Sequence, residues 1–163
     1  WCGLATHHVS SADFDALETA LRAPDASADE TLARFRRAAP HSPLSERAGE
    51  IERCFSGPTL ADVIGALERE DTLWAGETLA TLRRMSPTAL TATWALFTRG
   101  ATMTLRGCLD MEFHAARRML EAPDFREGVR AVVVDKDRRP AWSPSTLEEV
   151  GVAAIEAMVE ECA

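Results

Sequence analysis

The chain has 163 residues, 46% hydrophobic and 27% charged, with 9 Gly and 8 Pro, a composition that excludes disorder and collagen-like repeats and allows a sizeable core. Eighteen Lys and Arg face 26 Asp and Glu, a net charge of −8, so with no local basic patch to offset it no nucleic-acid partner is expected. No apolar run approaches the roughly 18 residues of a membrane span, so a soluble protein is expected, with no membrane partner.

Gly3-Leu4-Ala5-Thr6-His7-His8-Val9 is short and β-compatible, and a single strand is expected over about residues 3–9. After it nearly everything reads as helix. Ser10 to Asp13 supply caps for a first helix with Phe14, Leu17 and Leu21 at helical spacing, stopped by Pro24. Ser27 with Glu30 is a capping-box pattern for a second, with Leu32 and Phe35 on its inner face. Leu44, Ala48, Ile51 and Phe55 keep one period through a third, which Ser56-Gly57-Pro58-Thr59 breaks before a short fourth built on Leu60, Val63, Ile64 and Leu67.

Trp74, Leu79 and Leu82 lie in a fifth helix ending near Met85. Ser86-Pro87 is a start signal for a sixth, with Leu90, Trp94 and Phe97 on its buried side and Gly100 closing it. A long seventh runs from about Thr102 to Leu120, with a stripe of Leu105, Cys108, Leu109, Glu112, Ala115 and Met119. Pro123-Asp124 resets the chain, Asp124 with Glu127 reads as another capping box, and Val129 to Val134 fits helix or strand. Pro140 and Pro144 precede a closing helix from about Thr146. The expected fold is mainly α over residues 1–163, one helical unit without repeats or a linker.

Seventeen of the eighteen cations are Arg, and Lys136 is the only Lys. Ala is the commonest residue and Tyr is absent, biases that favour helix over sheet. Cys2, Cys54, Cys108 and Cys162 are far apart and form no Cys-x-x-Cys pair, so a reducing cytoplasm is expected rather than a disulfide scaffold. The chain opens on Trp1-Cys2-Gly3 without Met or a signal peptide, as expected of a segment beginning inside a longer protein.

Little of the familiar chemistry is spelled out. His7 and His8 are adjacent, His41 sits in a Pro-rich turn and His114 on the long helix, none with ligand-spaced carboxylates or thiols, so no metal is expected. There is no Gly-x-Ser-x-Gly elbow, no P-loop and no Gly-x-Gly-x-x-Gly. Glu112, on an otherwise apolar stripe, reads either as a buried acid or base or, more ordinarily, as a carboxylate tied to an Arg or to a helix N-terminus. The stretch from Asp124 to Trp142 is the most distinctive. Its cations Arg126, Arg130, Lys136, Arg138 and Arg139 follow a helix start and could hold a phosphate or form a solvated face. A lone compact ammonium between Asp135 and Asp137 points to a point-charge role.

That stretch carries a resemblance. Asp124-Phe125, Glu127-Gly128-Val129-Arg130-Ala131, Asp135-Lys136-Asp137 and Pro140-Ala141-Trp142 resemble the C-terminal signature of the 3-hydroxyisobutyryl-CoA hydrolases, a branch of the crotonase (enoyl-CoA hydratase/isomerase) superfamily. Gly3 to His7, Ile51 to Phe55, Met85-Ser86-Pro87-Thr88, Leu109 to Phe113, and Trp142-Ser143-Pro144 followed by Leu147 to Val150 agree in the same order.

The resemblance implies that this is the C-terminal helical half of a crotonase-like α/β fold. The implied activity is hydrolysis of a 3-hydroxyacyl-CoA thioester in valine breakdown, with hydratase or isomerase chemistry as the alternative. It implies that the oxyanion hole and acid/base carboxylates belong to a crotonase core preceding Trp1, with no catalytic residue in this chain. The substrate would be a coenzyme A thioester, no cofactor is implied, and the partners would be that N-terminal core, in cis or as a separate chain, and further copies in a homo-oligomer. The helices would cover the acyl pocket and make subunit contacts. Lys136 is the closest counterpart of a CoA-contacting Lys in related enoyl-CoA hydratases if one residue of offset after Ala131 is allowed. Two readings stand outside the resemblance: a stand-alone helical interaction module, and a self-sufficient hydrolase using His8 or His114.

Overall fold

The computed structural model describes residues 5–160, and among them the regular structure is helical, with no strand. Gly3 and Leu4 of the expected strand lie outside the described residues. The rest of it makes a single antiparallel bridge, His8 to Arg37, in which the Arg37 N–H donates to the His8 carbonyl at 2.9 Å. With no second β-prone run beside it, the segment closes that bridge and stops. Although the composition shows no break, the chain forms two compact units, one up to Ile51 and one from Glu52.

In the first unit, Ser10 Oγ accepts the Ala12 N–H and caps a 3₁₀ turn, Ser11–Asp13, that leads into α1 (Phe14–Leu21). Ser27 Oγ accepts the Glu30 N–H at 3.4 Å and starts α2 (Ala28–Phe35), which packs on α1. The buried residue of α2 is Thr31, next to the expected Leu32. The third expected helix is divided: α3 (Pro43–Glu46) and α4 (Ala48–Phe55) are separated by Arg47, whose φ of −98° and ψ of 7° leave the helical region.

The second unit begins with the end of α4 and continues through α5 (Leu60–Arg69), α6 (Leu73–Leu82), α7 (Pro87–Gly100), α8 (Leu105–Glu121), α9 (Pro123–Val129) and α10 (Val152–Val159). Thr59 and Asp62 form a reciprocal capping box at the start of α5, and Thr72, Ser86 and Thr104 cap α6, α7 and α8 by accepting backbone N–H groups. Gly57 is needed beside that box, because a Cβ there would stand 2.6 Å from the Asp62 Cβ. One core gathers Cys54, Val63, Leu67 and Ala75 with Trp74, Leu79, Leu82 and Trp94 packed against them. A second gathers Met111, Ala115 and Val159 with Ala95, Leu96 and Met158, where α7, α8 and α10 meet.

The helices sit where the caps place them, but several faces are turned. On α7 the buried residues are Pro87 and Ala92, and Phe97, expected inside, is 75% exposed. On α8 the buried pair is Met111 and Ala115, while Leu105 and Leu109 are 77% and 55% exposed and Glu112 is exposed with them. Ala92 and Ala115 are buried while larger apolar neighbours are not, so the buried side follows the packing of the neighbouring helices rather than side-chain size. The closing helix begins at Val152, since residues 146–150 form turns, and Val129 to Val134 resolves as helix rather than strand.

Candidate functional site

The signature stretch is built around one guanidinium. Past α9 the helix loosens into a π turn, Arg130–Val134, with the Asp135 N–H donating to the Arg130 carbonyl at 2.8 Å. A π turn holds one residue more than the α-helical turn it replaces. Beyond it, Lys136 and Arg138 adopt left-handed backbone, φ 57° and 55°, and the chain folds back along α9.

Arg130 ties the returning loop to the helix. Its Nε and Nη2 grip Glu127 in a fork at 2.9 and 2.7 Å. Nη1 donates to Asp135 at 2.6 Å and to Asp137 at 2.7 Å, and Nη2 also reaches the Arg139 carbonyl at 3.1 Å. Glu127 Oε1 accepts the Ala141 N–H at 2.7 Å, and Asp137 accepts the Arg139 N–H at 2.8 Å. The Arg130 fork, and after it the Ala141 N–H, hold the Glu127 carboxyl down to about 2 from an ordinary 4.5. Asp137 is lowered by Arg130 first and by the Arg139 N–H second, and Arg130 itself is raised by Glu127, Asp137 and Asp135 in that order.

Of the cations that could hold a phosphate or form a solvated face, one is taken up inside the protein. Arg130 is engaged by three carboxylates and is not a free anion contact. Lys136 is exposed, at the outer bend of the loop. The knot itself went unread in the sequence, although Glu127 and Arg130 stand at i,i+3 on a helix, the spacing at which such pairs meet.

Below the knot a second polar pair anchors the segment. Asp124, expected to cap, lies inside α9 and is only 4% exposed. It accepts the Ser86 hydroxyl at 2.5 Å and the Ser143 N–H at 2.8 Å, while Ser86 Oγ accepts the Ala89 N–H at 3.0 Å. One serine thus caps α7 and pins α9 to it, joining the Met85-Ser86-Pro87 motif to the Asp124-Phe125 motif. Trp142 packs against Gly128, where a Cβ would stand 3.4 Å from its ring, and its indole N–H donates to the Arg84 carbonyl at 2.9 Å. Over Ser86 and Asp124 opens an apolar cavity of about 370 Å³, walled by Met85, Met119, Phe125, Val129, Val133 and Trp142.

The remaining candidates do not converge. Glu112 is exposed and so is not the buried acid its stripe suggested. His41 pairs with Glu46 at 3.4 Å, His114 stands edge-on to Phe113 with ring centroids 5.9 Å apart, and His7 Nδ1 meets the Thr6 hydroxyl at 2.9 Å. Among the described residues no three His, Cys, Asp or Glu side chains gather as a metal-holding group, and no helix is long and apolar enough to cross a membrane.

The mitochondrial 3-hydroxyisobutyryl-CoA hydrolase of Xenopus laevis is 36% identical over 157 residues, 91% of this chain and 41% of that protein. The mitochondrial enzyme of the same name from Dictyostelium discoideum is 33% identical over 156 residues, again 91% and 41%. Among solved structures, a carnitinyl-CoA dehydratase from Mycobacterium thermoresistibile superposes with a TM-score of 0.84 at 34% identity, covering 97% of this chain and 45% of that one. An enoyl-CoA hydratase from Rhodobacter sphaeroides superposes with a TM-score of 0.77 at 38% identity, covering 93% and 43%. The chain therefore spans less than half the length of the relatives it matches, and the mitochondrial names give the expected cytoplasmic location no support. The enoyl-CoA hydratase/isomerase family model matches residues 1–159, and the chain belongs to that family.

Proposed function

We propose that this chain is the C-terminal helical portion of an acyl-CoA-processing enzyme whose reaction is thioester hydrolysis, as in the 3-hydroxyisobutyryl-CoA hydrolases it resembles. The observation that carries this is the signature stretch itself, in which Glu127, Arg130, Asp135 and Asp137 form one network and Asp124 is bound separately by Ser86 and Ser143. The groups that polarise the thioester carbonyl and move protons belong to the part of the relatives that this chain does not match. The helices contribute pocket cover and subunit contacts, and Lys136 lies near a CoA phosphate. The substrate is a coenzyme A thioester, and a reducing compartment suits it, matrix and cytosol alike.

The outward apolar faces support this reading over a self-contained interaction module. Leu105, Leu109 and Phe113 recur on α8 at helical spacing and are largely exposed, the arrangement of a helix that lies against another apolar surface. Hydratase chemistry is the second reading, favoured by the two solved structures, a dehydratase and a hydratase.

The two separate by product. The chain joined to the unmatched N-terminal part of a curated relative is expected to release the coenzyme A thiol from a 3-hydroxyacyl-CoA. Hydration of an enoyl-CoA without thiol release would favour the second reading.

A further inference from the structure

We propose that Arg130 is a positioning residue that keeps the Lys136 ammonium available to a phosphate group; this rests on the reading of Lys136 as a phosphate contact. Lys136 stands between Asp135 and Asp137, and a carboxylate on each side would neutralise a lone ammonium within a bond or two of where it must act. Both carboxylates are instead drawn onto one guanidinium, Asp135 at 2.6 Å and Asp137 at 2.7 Å from Arg130 Nη1. Glu127 anchors that guanidinium from α9 with a two-point fork, and the Ala141 N–H holds Glu127 in turn.

The backbone serves the same end. Lys136 is in the left-handed region at φ 57° and Arg138 at φ 55°, so the chain reverses its turn at each of them while Asp135 and Asp137 stay on Arg130. Lys136 remains exposed, and its ammonium makes no ion pair among the described residues. In a chain of net charge −8 this leaves a compact, unneutralised cation, the kind of point charge that suits a phosphate group. Arg suits the hub because its planar fork can serve several carboxylates at once, which a Lys cannot.

Coenzyme A itself is the probe, titrated into the full chain. Reductive methylation with labelled formaldehyde gives NMR one side-chain amine to watch, because Lys136 is the only Lys. Lys136→Gln and Arg130→Gln are each expected to weaken binding about tenfold, the loss of one charge-assisted phosphate contact. Adding Asp135→Asn and Asp137→Asn to Arg130→Gln removes the carboxylates released onto Lys136 and is expected to restore binding to within about threefold.

Rescue of that kind separates positioning from mere scaffolding, since taking further members out of a structural knot would make it worse. Coenzyme A that fails to bind the unaltered chain, or binds Lys136→Gln equally well, overturns the reading of Lys136 and the role of Arg130 with it. Binding lost in Lys136→Gln but kept in Arg130→Gln overturns the role of Arg130 alone. So does binding lost in Arg130→Gln and not recovered in the triple variant.

Discussion

At the scale of single residues, the second unit depends on two polar constructions that tie distant segments together. Ser86 carries two functions on one oxygen, capping α7 and donating to the buried Asp124. Ser86→Ala removes the cap and leaves the carboxylate short of a donor, so a loss of about 1–3 kcal/mol is expected in chemical denaturation. The Glu127–Arg130 fork gives a pH signature. Its carboxyl is held at about 2 against an ordinary 4.5, a depressed value, so its contribution to stability is complete above about pH 4.5 and disappears as the pH falls toward 2. Glu127→Gln is expected to melt lower than the unaltered chain at neutral pH and to close that gap as the solution is acidified; a gap of constant size would contradict the assignment. These constructions were only half legible in the sequence. The cap at Ser86-Pro87 is local and readable, whereas the partners of Asp124 lie 38 and 19 positions away and depend on the loop folding back.

At the scale of the element, start signals were the most legible feature, because a capping side chain bonds to a backbone group two or three residues away. Ser86 caps as read, Ser27 supplies the serine half of its expected capping box, and Thr59, Thr72 and Thr104 follow the same rule. Asp124 failed as a cap because Pro123 takes the first helical position and Ala122 the cap position, leaving Asp124 inside the helix. Helix faces were less legible, since which side is buried is set by the neighbouring helix and not by the size of the side chain. A paired comparison makes the point measurable. Leu67→Ala, fully within the first core, is expected to cost about 2–4 kcal/mol, and Phe97→Ala, larger but exposed, less than about 1 kcal/mol. Similar losses at the two positions would show that α7 is turned the other way.

At the scale of the whole molecule, the conspicuous property is apolar surface without cover. Leu105, Leu109 and Phe113 on α8 are joined by exposed Val132, Val133 and Val134 on the π turn. Surface of this kind on a lone chain drives association, so the purified chain is expected to self-associate with concentration in sedimentation velocity. Leu109→Gln with Phe113→Gln should shift it toward monomer while leaving its melting temperature nearly unchanged. The membership in an enoyl-CoA hydratase/isomerase family was legible because its motifs, from Gly3 to Val150, are ordered strings of residues. The resemblance also implied helices left without the core they pack against, but which residues form the uncovered face was not legible, because a sequence pattern shows that an apolar face exists and is silent on what covers it.

The division of labour between these helices and the reacting groups is tested most directly by turnover. The purified chain is given 3-hydroxyisobutyryl-CoA and thiol release is followed, first alone and then with the unmatched N-terminal part of a curated relative. No release above background from the chain alone, and release once that part is supplied, is the expected result. Steady release of coenzyme A by the isolated chain would contradict it.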